Sequence, residues 1–301
     1  MYTAANLKSP LFSAYLKMDR ILITGANGQL GSELKEAAPL YPNAHFVYTD
    51  REELDITDAD AVVAFLKDGN FNYLFNCAAY TAVDKAESDK ETAYAINAQA
   101  AGILAKACHQ LNIKFVHVST DFIFDGTLAS PLREDDNPNP LSVYGASKLE
   151  GELKVLAANT DAIILRTSWV YSSFGNNFVK TVIKLCNERE ALNIIFDQIG
   201  TPTYAKDLAL VILTIAFGKE WHPGVYHYSN EGVASWYDFA IAIRDNAGLK
   251  TKISPIETSQ YPTPAVRPKY SVLNKRKFKD TFNIEIPYWK DSLNNCMQLM
   301  K

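Results

Sequence analysis

Tyr144 and Lys148 stand four residues apart in the run YGASK. On a helix that spacing puts both side chains on one face, with the ammonium near the phenol. A free tyrosine titrates near pH ~10, and a neighbouring cation draws it toward a value useful for proton transfer at neutral pH. Tyr144 therefore reads as the proton donor to a carbonyl being reduced, with Lys148 as its modulator. Earlier in the chain, the run STDFIFDG follows an apolar stretch, Lys114 to Val118, and delivers Ser119, Thr120 and Asp121 where a strand should end. Thr120 at such an edge can donate a second hydrogen bond to the same oxygen. A lone YxxxK is more often an exposed pair on a surface helix. Here it follows a strand-end hydroxyl, which follows a glycine loop, in the order that one site requires.

That glycine loop is TGANGQLG, with Gly25, Gly28 and Gly31 directly after an apolar strand and before the helix-compatible SELKEAA. The spacing permits a tight turn, close approach of backbone to a pyrophosphate and close helix packing, while the helix N-terminus supplies aligned N–H groups. A glycine-rich turn with no ligand is the bland reading. The strand before and the helix after favour a dinucleotide site, with Asn27, Gln29 and Leu30 as further loop contacts. The second strand, HFVYTD, ends in Asp50, about 20 residues beyond the glycines, where a carboxylate accepts from the adenine ribose hydroxyls. Arg51 beside it could hold a 2′-phosphate, so NADPH and NADH both stay open. Asp55 and Ile56 fall where an adenine would rest, although Thr57-Asp58 also reads as a helix start. In NCAAYTAVD, the small Ala78 and Ala79, followed by Tyr80, let a cofactor approach a strand end, as a tightly packed helix would also want.

These residues need a scaffold. Arg20 to Thr24, His45 to Tyr48, Tyr73 to Cys77, Lys114 to Ser119 and Ala162 to Leu165 read as short apolar strands; helical stretches fall at 31–38, 59–66, 93–111 and 144–156. Alternation of this kind implies an α/β fold, a doubly wound Rossmann-type parallel sheet covered on both faces. Residues 1–17 read as an N-terminal extension and 18–170 as the dinucleotide-binding domain. Residues 171–301 read mostly as a smaller, interleaved α/β substrate-binding lobe. A later strand near 193–197 is expected to return to the central sheet.

With 48% hydrophobic and 21% charged residues the chain has the composition of an ordinary globular protein. A net charge of −4 and no basic block longer than Lys275-Arg276-Lys277 argue against a nucleic-acid partner. No apolar stretch approaches the ~18 residues needed to cross a bilayer. Four cysteines without a CxxC spacing suit reduced, packed thiols and a cytoplasmic location.

The glycine pattern, Thr120 and the Tyr144–Lys148 pair resemble the extended short-chain dehydrogenase/reductase family. NCAAYTAVDKAES, STDFIFDG, NPLSVYGASKLEGE, RTSWVYSSFGNNFVKT, DQIGTPT and YPTPAVRPKYSVLN together resemble its dTDP-4-dehydrorhamnose reductase branch, over roughly residues 18 to 295. The resemblance implies reduction of the C4 ketone of dTDP-4-dehydro-β-L-rhamnose by NADPH or NADH, the last step of dTDP-L-rhamnose synthesis. By position, Thr120, Tyr144 and Lys148 match the branch's catalytic triad, and Asp121 an acid close to the nicotinamide and sugar. Trp169 matches a tryptophan that packs on the deoxysugar, offering an indole face to the C6 methyl. Asn176, Asn177, Phe178 and Arg267 fall where nucleotide and diphosphate are held; the arginine is also a planar donor suited to phosphate oxygens. Some members dimerise through a magnesium held by glutamates. Glu33 stands at one matching position, but Lys206 occupies a place where an acid would be needed. The expectation is a monomer or homodimer with no metal. The competing readings are an epimerase or dehydratase that recycles its cofactor, and a non-catalytic nucleotide-binding subunit such as the regulatory β subunit of methionine adenosyltransferase.

Overall fold

The computed structural model describes residues 18–300; the expected extension, residues 1–17, lies outside the described residues. Strand β1 (Asp19–Thr24) shows why the chain folds in layers. Ile21 and Ile23 point to one face and Leu22 to the other, and all three are fully buried. A strand buried on both faces belongs in a parallel sheet with helices on each side. The elements that follow are α1 (Gln29–Ala37), β2 (Ala44–Thr49), α2 (Ala59–Gly69), β3 (Tyr73–Asn76), the short α3 (Val83–Ala86) and α4 (Lys90–Tyr94), α5 (Ala101–Gln110), β4 (Lys114–Thr120), α6 (Val143–Ala158) and β5 (Ile163–Thr167).

The sheet runs β2-β1-β3-β4-β5 and ends with a sixth strand, Gly224–His227, every neighbouring pair being parallel. Leu30 and Leu34 of α1, with Leu208 and Ile212 of the helix Ala205–Ala216, cover the face that carries Ile21 and Ile23. Val62 and Leu66 of α2, Leu104 of α5 and Val155 of α6 cover Leu22, Leu74 and Ile164 on the other. This is the doubly wound α/β architecture that the alternation predicts. The strand order reverses between β1 and β3, and in such sheets the ligand crevice opens at that point, beyond the C-terminal strand ends.

Two expectations are corrected. Residues 193–197 do not return to the central sheet: Ala191–Ile195 pairs in parallel with Lys252–Ile256 in a separate two-stranded sheet. Of its five residues only Leu192 is buried, so much of the strand faces outward, whereas all five residues of β5 are buried. The strand that does return is Gly224–His227, whose run GVYH lacks a continuous apolar signature. Second, the helix expected over 93–111 is interrupted, because Ala95–Ala100 adopts a π-helical stretch before α5 begins. Such bulges are frequent near functional sites.

The smaller lobe has its own core of Tyr171, Val179, Val182, Phe239, Ile243, Trp289 and Leu293. The helix 205–216, the strand 224–227, Phe278 and Ile286 pack instead with the central sheet, so the second half of the chain weaves between both cores. All four cysteines are free. Among the described residues, no helix is long and apolar enough to cross a membrane.

Candidate active site

The loop after β1 is built for close approach. Gly25 has φ of +66°, a left-handed conformation, and a Cβ there would come within 2.6 Å of the Ala78 backbone at the end of β3. Gly31 lies against the same turn; a Cβ would approach Ala26 Cα and the Gly25 carbonyl to 2.5 Å. Gly28 caps α1 and has no side chain to occupy the first N–H groups. The β1 and β3 ends therefore meet through glycine and alanine at the sheet's switch point. An anion can reach the α1 N-terminus there without displacing a side chain.

A cleft of ≈ 1110 Å³ extends from this loop along the strand ends and is lined by Gly25, Gly28, Gln29, Leu30, Asp50, Arg51, Asp55, Ile56, Ala78 and Ala79 at its nucleotide end. Asp50 Oδ2 accepts from the Asn27 backbone N–H at 3.1 Å and Oδ1 from the Arg51 N–H at 2.9 Å, tying the end of β2 to the glycine loop. Asp55 accepts from the backbone and hydroxyl of Thr57, which hold its carboxyl below the usual range. Tyr80 does not line the cleft, against the expectation from its place beside Ala78 and Ala79: its hydroxyl donates to Asp89 at 3.0 Å and its backbone N–H to Asn97. Asn27 meets Asp50 through its backbone, and Gly31 packs beneath the loop.

At the other end, β4 finishes at Thr120, whose hydroxyl donates to Asp121 Oδ1 at 3.1 Å and accepts from Phe122 N–H at 3.2 Å, capping the turn Asp121–Ile123. Helix α6 begins at a Ser142 cap, which accepts from Gly145 N–H. Two glycines let α6 lie close: a Cβ on Gly145 would come 2.2 Å from the Phe122 carbonyl oxygen, and one on Gly151 2.1 Å from that of Asn97. Asn97, in the π-helical stretch, donates to Ser147 at 3.0 Å and completes the junction. Tyr144, Lys148 and Thr120 thereby converge on one wall of the cleft, with the Thr120 hydroxyl beside the phenol.

The electrostatics differ from expectation in one respect. Tyr144 is not drawn down; burial pushes it up to about 12, with the Asp121 charge adding to the rise and the Thr120 hydroxyl opposing it. The Lys148 ammonium donates to the Val118 carbonyl at 2.7 Å, and burial lowers it to about 8 against the opposing Glu152 charge. Desolvation is the largest influence on the phenol, and the Lys148 ammonium is not among the groups that offset it. Tyr144 is consequently held protonated at neutral pH, as a donor must be. Asp121 is buried and its Oδ2 makes no hydrogen bond of good geometry; burial pushes its carboxyl up to about 6, with the nearby Ser271 and Thr120 hydroxyls opposing the rise.

Behind this wall lie residues that motif reading missed. Glu152 follows Tyr144 and Lys148 at the next four-residue step of α6. It receives Arg166 at both oxygens, with Nη2 to Oε2 at 2.8 Å, and the Ser119 hydroxyl. The i, i+4, i+8 spacing is the signal that could have found it.

Trp169, Asn176 and Asn177 also line the cleft. One face of the Trp169 indole is stacked on Trp236, an unforeseen second tryptophan in the wall, so that face is not open to a sugar. Asn177 caps the helix Phe178–Glu188 and donates to Gln29 Oε1 at 3.0 Å, joining the lobe to the glycine loop. Phe178 does not line the cleft; it packs on Trp236 and Phe239. Arg267 reaches the cleft with its guanidinium held bidentately by Asp84, at 3.0 and 2.7 Å, and Asp84 too was unforeseen. Glu33 is buried, accepts from Ser172 at 2.6 Å and feels the Lys206 charge. Among the described residues, no three His, Cys, Asp or Glu side chains cluster as a metal site.

The family model described as the RmlD substrate binding domain matches residues 18–301. A dTDP-4-dehydrorhamnose reductase from Aggregatibacter actinomycetemcomitans is 42% identical over 290 residues, covering 92% of this chain and 98% of that one. The crystal structure of a dTDP-4-dehydrorhamnose reductase from Clostridium acetobutylicum superposes with a TM-score of 0.90 at 43% identity, covering 93% of this chain and 99% of that one. Another, from Bacillus anthracis and in complex with NADP, superposes with a TM-score of 0.89 at 38% identity over 93% of this chain and 99% of that one. Matching almost end to end in both sequence and fold, the chain belongs to the dTDP-4-dehydrorhamnose reductase family.

Proposed function

We propose that this protein reduces the C4 ketone of dTDP-4-dehydro-β-L-rhamnose to dTDP-β-L-rhamnose with NADPH or NADH, the last step of dTDP-L-rhamnose synthesis. The observation that carries this reading is the convergence of Tyr144, Thr120 and Lys148 on the cleft that also holds the glycine loop. The curated relative is named for this activity, and the NADP complex of the Bacillus anthracis reductase supports the cofactor.

The residues present suit a dinucleotide. Gly25, Gly28, Gln29 and Leu30 would hold its diphosphate at the α1 N-terminus, Asp50 and Arg51 the ribose, and Asp55 and Ile56 the adenine. Ala78 and Ala79 would line its path. Bound there, the nicotinamide supplies the hydride. Tyr144 gives its phenolic proton to the C4 oxygen as that oxygen gains charge, and the Thr120 hydroxyl orients the same oxygen. Lys148 stabilises the tyrosinate left behind and favours its reprotonation. Asp121 borders the reacting atoms, and Arg267, whose Nη1 is taken up by Asp84, Thr263 and the Ala265 carbonyl, would offer its remaining Nε and Nη2 donors to the substrate's diphosphate.

The test is to supply dTDP-4-dehydrorhamnose with either cofactor and follow NADPH or NADH absorbance, reading the C4 configuration of the product by NMR. Stoichiometric oxidation with formation of the rhamnose configuration is the expected result. Sugar conversion without net oxidation would instead establish an epimerase.

A further inference from the structure

The first turn of α6 carries Tyr144, and part of its support comes from a side chain 56 residues earlier in the chain. A helix begins with N–H groups that no intrahelical carbonyl reaches. Ser142 answers one of them, its hydroxyl accepting from Gly145 N–H at 3.2 Å. Glu87 answers another: its Oε1 accepts from Val143 N–H at 2.8 Å, at the residue directly before the proton donor. A carboxylate placed there also meets the positive end of the helix.

Glu87 does not line the cleft, so it can act on the reaction only through α6. It directly follows α3, and the segment that presents it is held from both sides. Asp84 within α3 accepts from Arg267 and, at 3.2 Å, from Ala265 N–H. Asp89, two residues beyond Glu87, accepts the Tyr80 hydroxyl, while the Tyr80 backbone exchanges hydrogen bonds of 2.8 and 3.1 Å with the Asn97 side chain. The carboxylate is therefore a fixed point against a helix end that would otherwise fray. On the opposite side Gly145 lies against the Phe122 carbonyl, so a shift of this turn moves the phenol relative to Thr120.

We propose that Glu87 is a positioning residue for proton delivery, fixing the first turn of α6 so that the Tyr144 phenol stays beside the Thr120 hydroxyl and at the oxygen it protonates. The proposal rests on the reductase reading above. What it requires of the side chain is reach rather than charge: an acceptor oxygen must arrive at Val143 N–H, and a neutral one of equal length serves.

The experiment measures kcat and KM for dTDP-4-dehydrorhamnose in wild type and in Glu87→Gln, Glu87→Asp and Glu87→Ala variants, each also in a Tyr144→Phe background. NADPH affinity and thermal melting control for the fold. Glu87→Gln keeps the length and an acceptor and should keep most of the wild-type kcat. Glu87→Asp, one methylene short, and Glu87→Ala should lower kcat by ~10- to 100-fold with KM and NADPH affinity little changed, as a misplaced reacting group does. In the Tyr144→Phe background the same two substitutions should cause no further loss, because the group they displace is already gone. Glu87→Asp serves alone if Glu87→Ala does not fold. Rates that follow the charge, with the aspartate active and the glutamine impaired, would overturn the proposal. So would a loss that multiplies undiminished onto that of Tyr144→Phe, or folded short variants with unchanged kcat; in each of these cases the wild type still reduces the sugar and the reductase reading stands. A wild type that oxidises neither cofactor with this sugar would overturn that reading and the proposal with it.

Discussion

Lys148 and Glu152 occupy successive turns of one buried face of α6, and Arg166 clasps the carboxylate at 2.8 Å. Glu152 is the charge that opposes the effect of burial on Lys148, which would otherwise lose its proton at still lower pH. Glu152→Gln keeps the shape and removes the charge. The basic limb of the kcat profile, set where a lysine near 8 deprotonates, should move to lower pH. Stability should fall by roughly 3–5 kcal/mol because Arg166 is left buried without its counter-charge. Initial rates across the pH range at saturating substrate, with thermal melts, check both. A folded variant with an unmoved basic limb would restrict Glu152 to a structural part.

Tyr144→Phe separates binding from proton delivery. The ring keeps its edge contact with Phe122, 5.5 Å between centroids, so the wall should survive. NADPH affinity should stay as in the wild type while kcat drops by ~10²-fold or more, since only the proton donor is gone. Fluorescence titration of NADPH and steady-state rates decide it; an unchanged kcat would remove Tyr144 from the chemistry.

Asp121 links the site to stability. Its folded-state carboxyl sits at about 6, against an ordinary value of 3.8. Below about pH 4 both folded and unfolded chains carry the proton, and burial of the group costs little. Between the two values the folded chain binds more protons, so stability declines as pH rises, and above about 6 the penalty is complete. Asp121→Asn keeps an acceptor for the Thr120 hydroxyl and abolishes the charge. It should stabilise the protein by about 1–3 kcal/mol at neutral pH, with the gain vanishing below pH ~4, while activity falls. Denaturant melts at the two pH values test the sign. A gain that persists in acid would have a source other than ionisation of Asp121.

The parts of this site that local chemistry specifies are legible in sequence. Gly25 and Gly31 announce a close approach because no side chain fits there, and Tyr144 with Lys148 announce a shared face because helical spacing is fixed. The central strands are legible for the same reason: β5 is apolar and buried throughout. What escapes is whatever two distant segments make together. Trp236 meets Trp169, and Asp84 meets Arg267, only after the lobe folds back on the sheet. The strand 224–227 escapes because its glycine, tyrosine and histidine are admitted by neighbours rather than by any pattern of their own. One signal was available for Trp236. Ser235 and Asp238 form a capping box, which marks a helix start and places the tryptophan at its first position. The direction of the tyrosine's shift is not legible in sequence for a physical reason: helical spacing shows that Lys148 shares a face with Tyr144, but not the depth of burial that raises the phenol.

Asp50→Ala tests the proposed contact between this carboxylate and the adenine ribose. The carboxylate holds the Asn27 N–H at 3.1 Å and the Arg51 N–H at 2.9 Å, so it shapes the loop that it would share with the adenine ribose. Asp50→Ala should weaken both cofactors by a common factor, because the loop loses its tie to β2. NADH should lose more: its ribose 2′-hydroxyl would lose a charged acceptor, a bond of about 1.5–3 kcal/mol, whereas the 2′-phosphate of NADPH gains from removal of a nearby negative charge and keeps Arg51. The ratio of NADH to NADPH dissociation constants should therefore rise by roughly tenfold or more. Calorimetric titration of both cofactors against wild type and variant measures that ratio, and equal losses for the two would assign Asp50 to the loop alone.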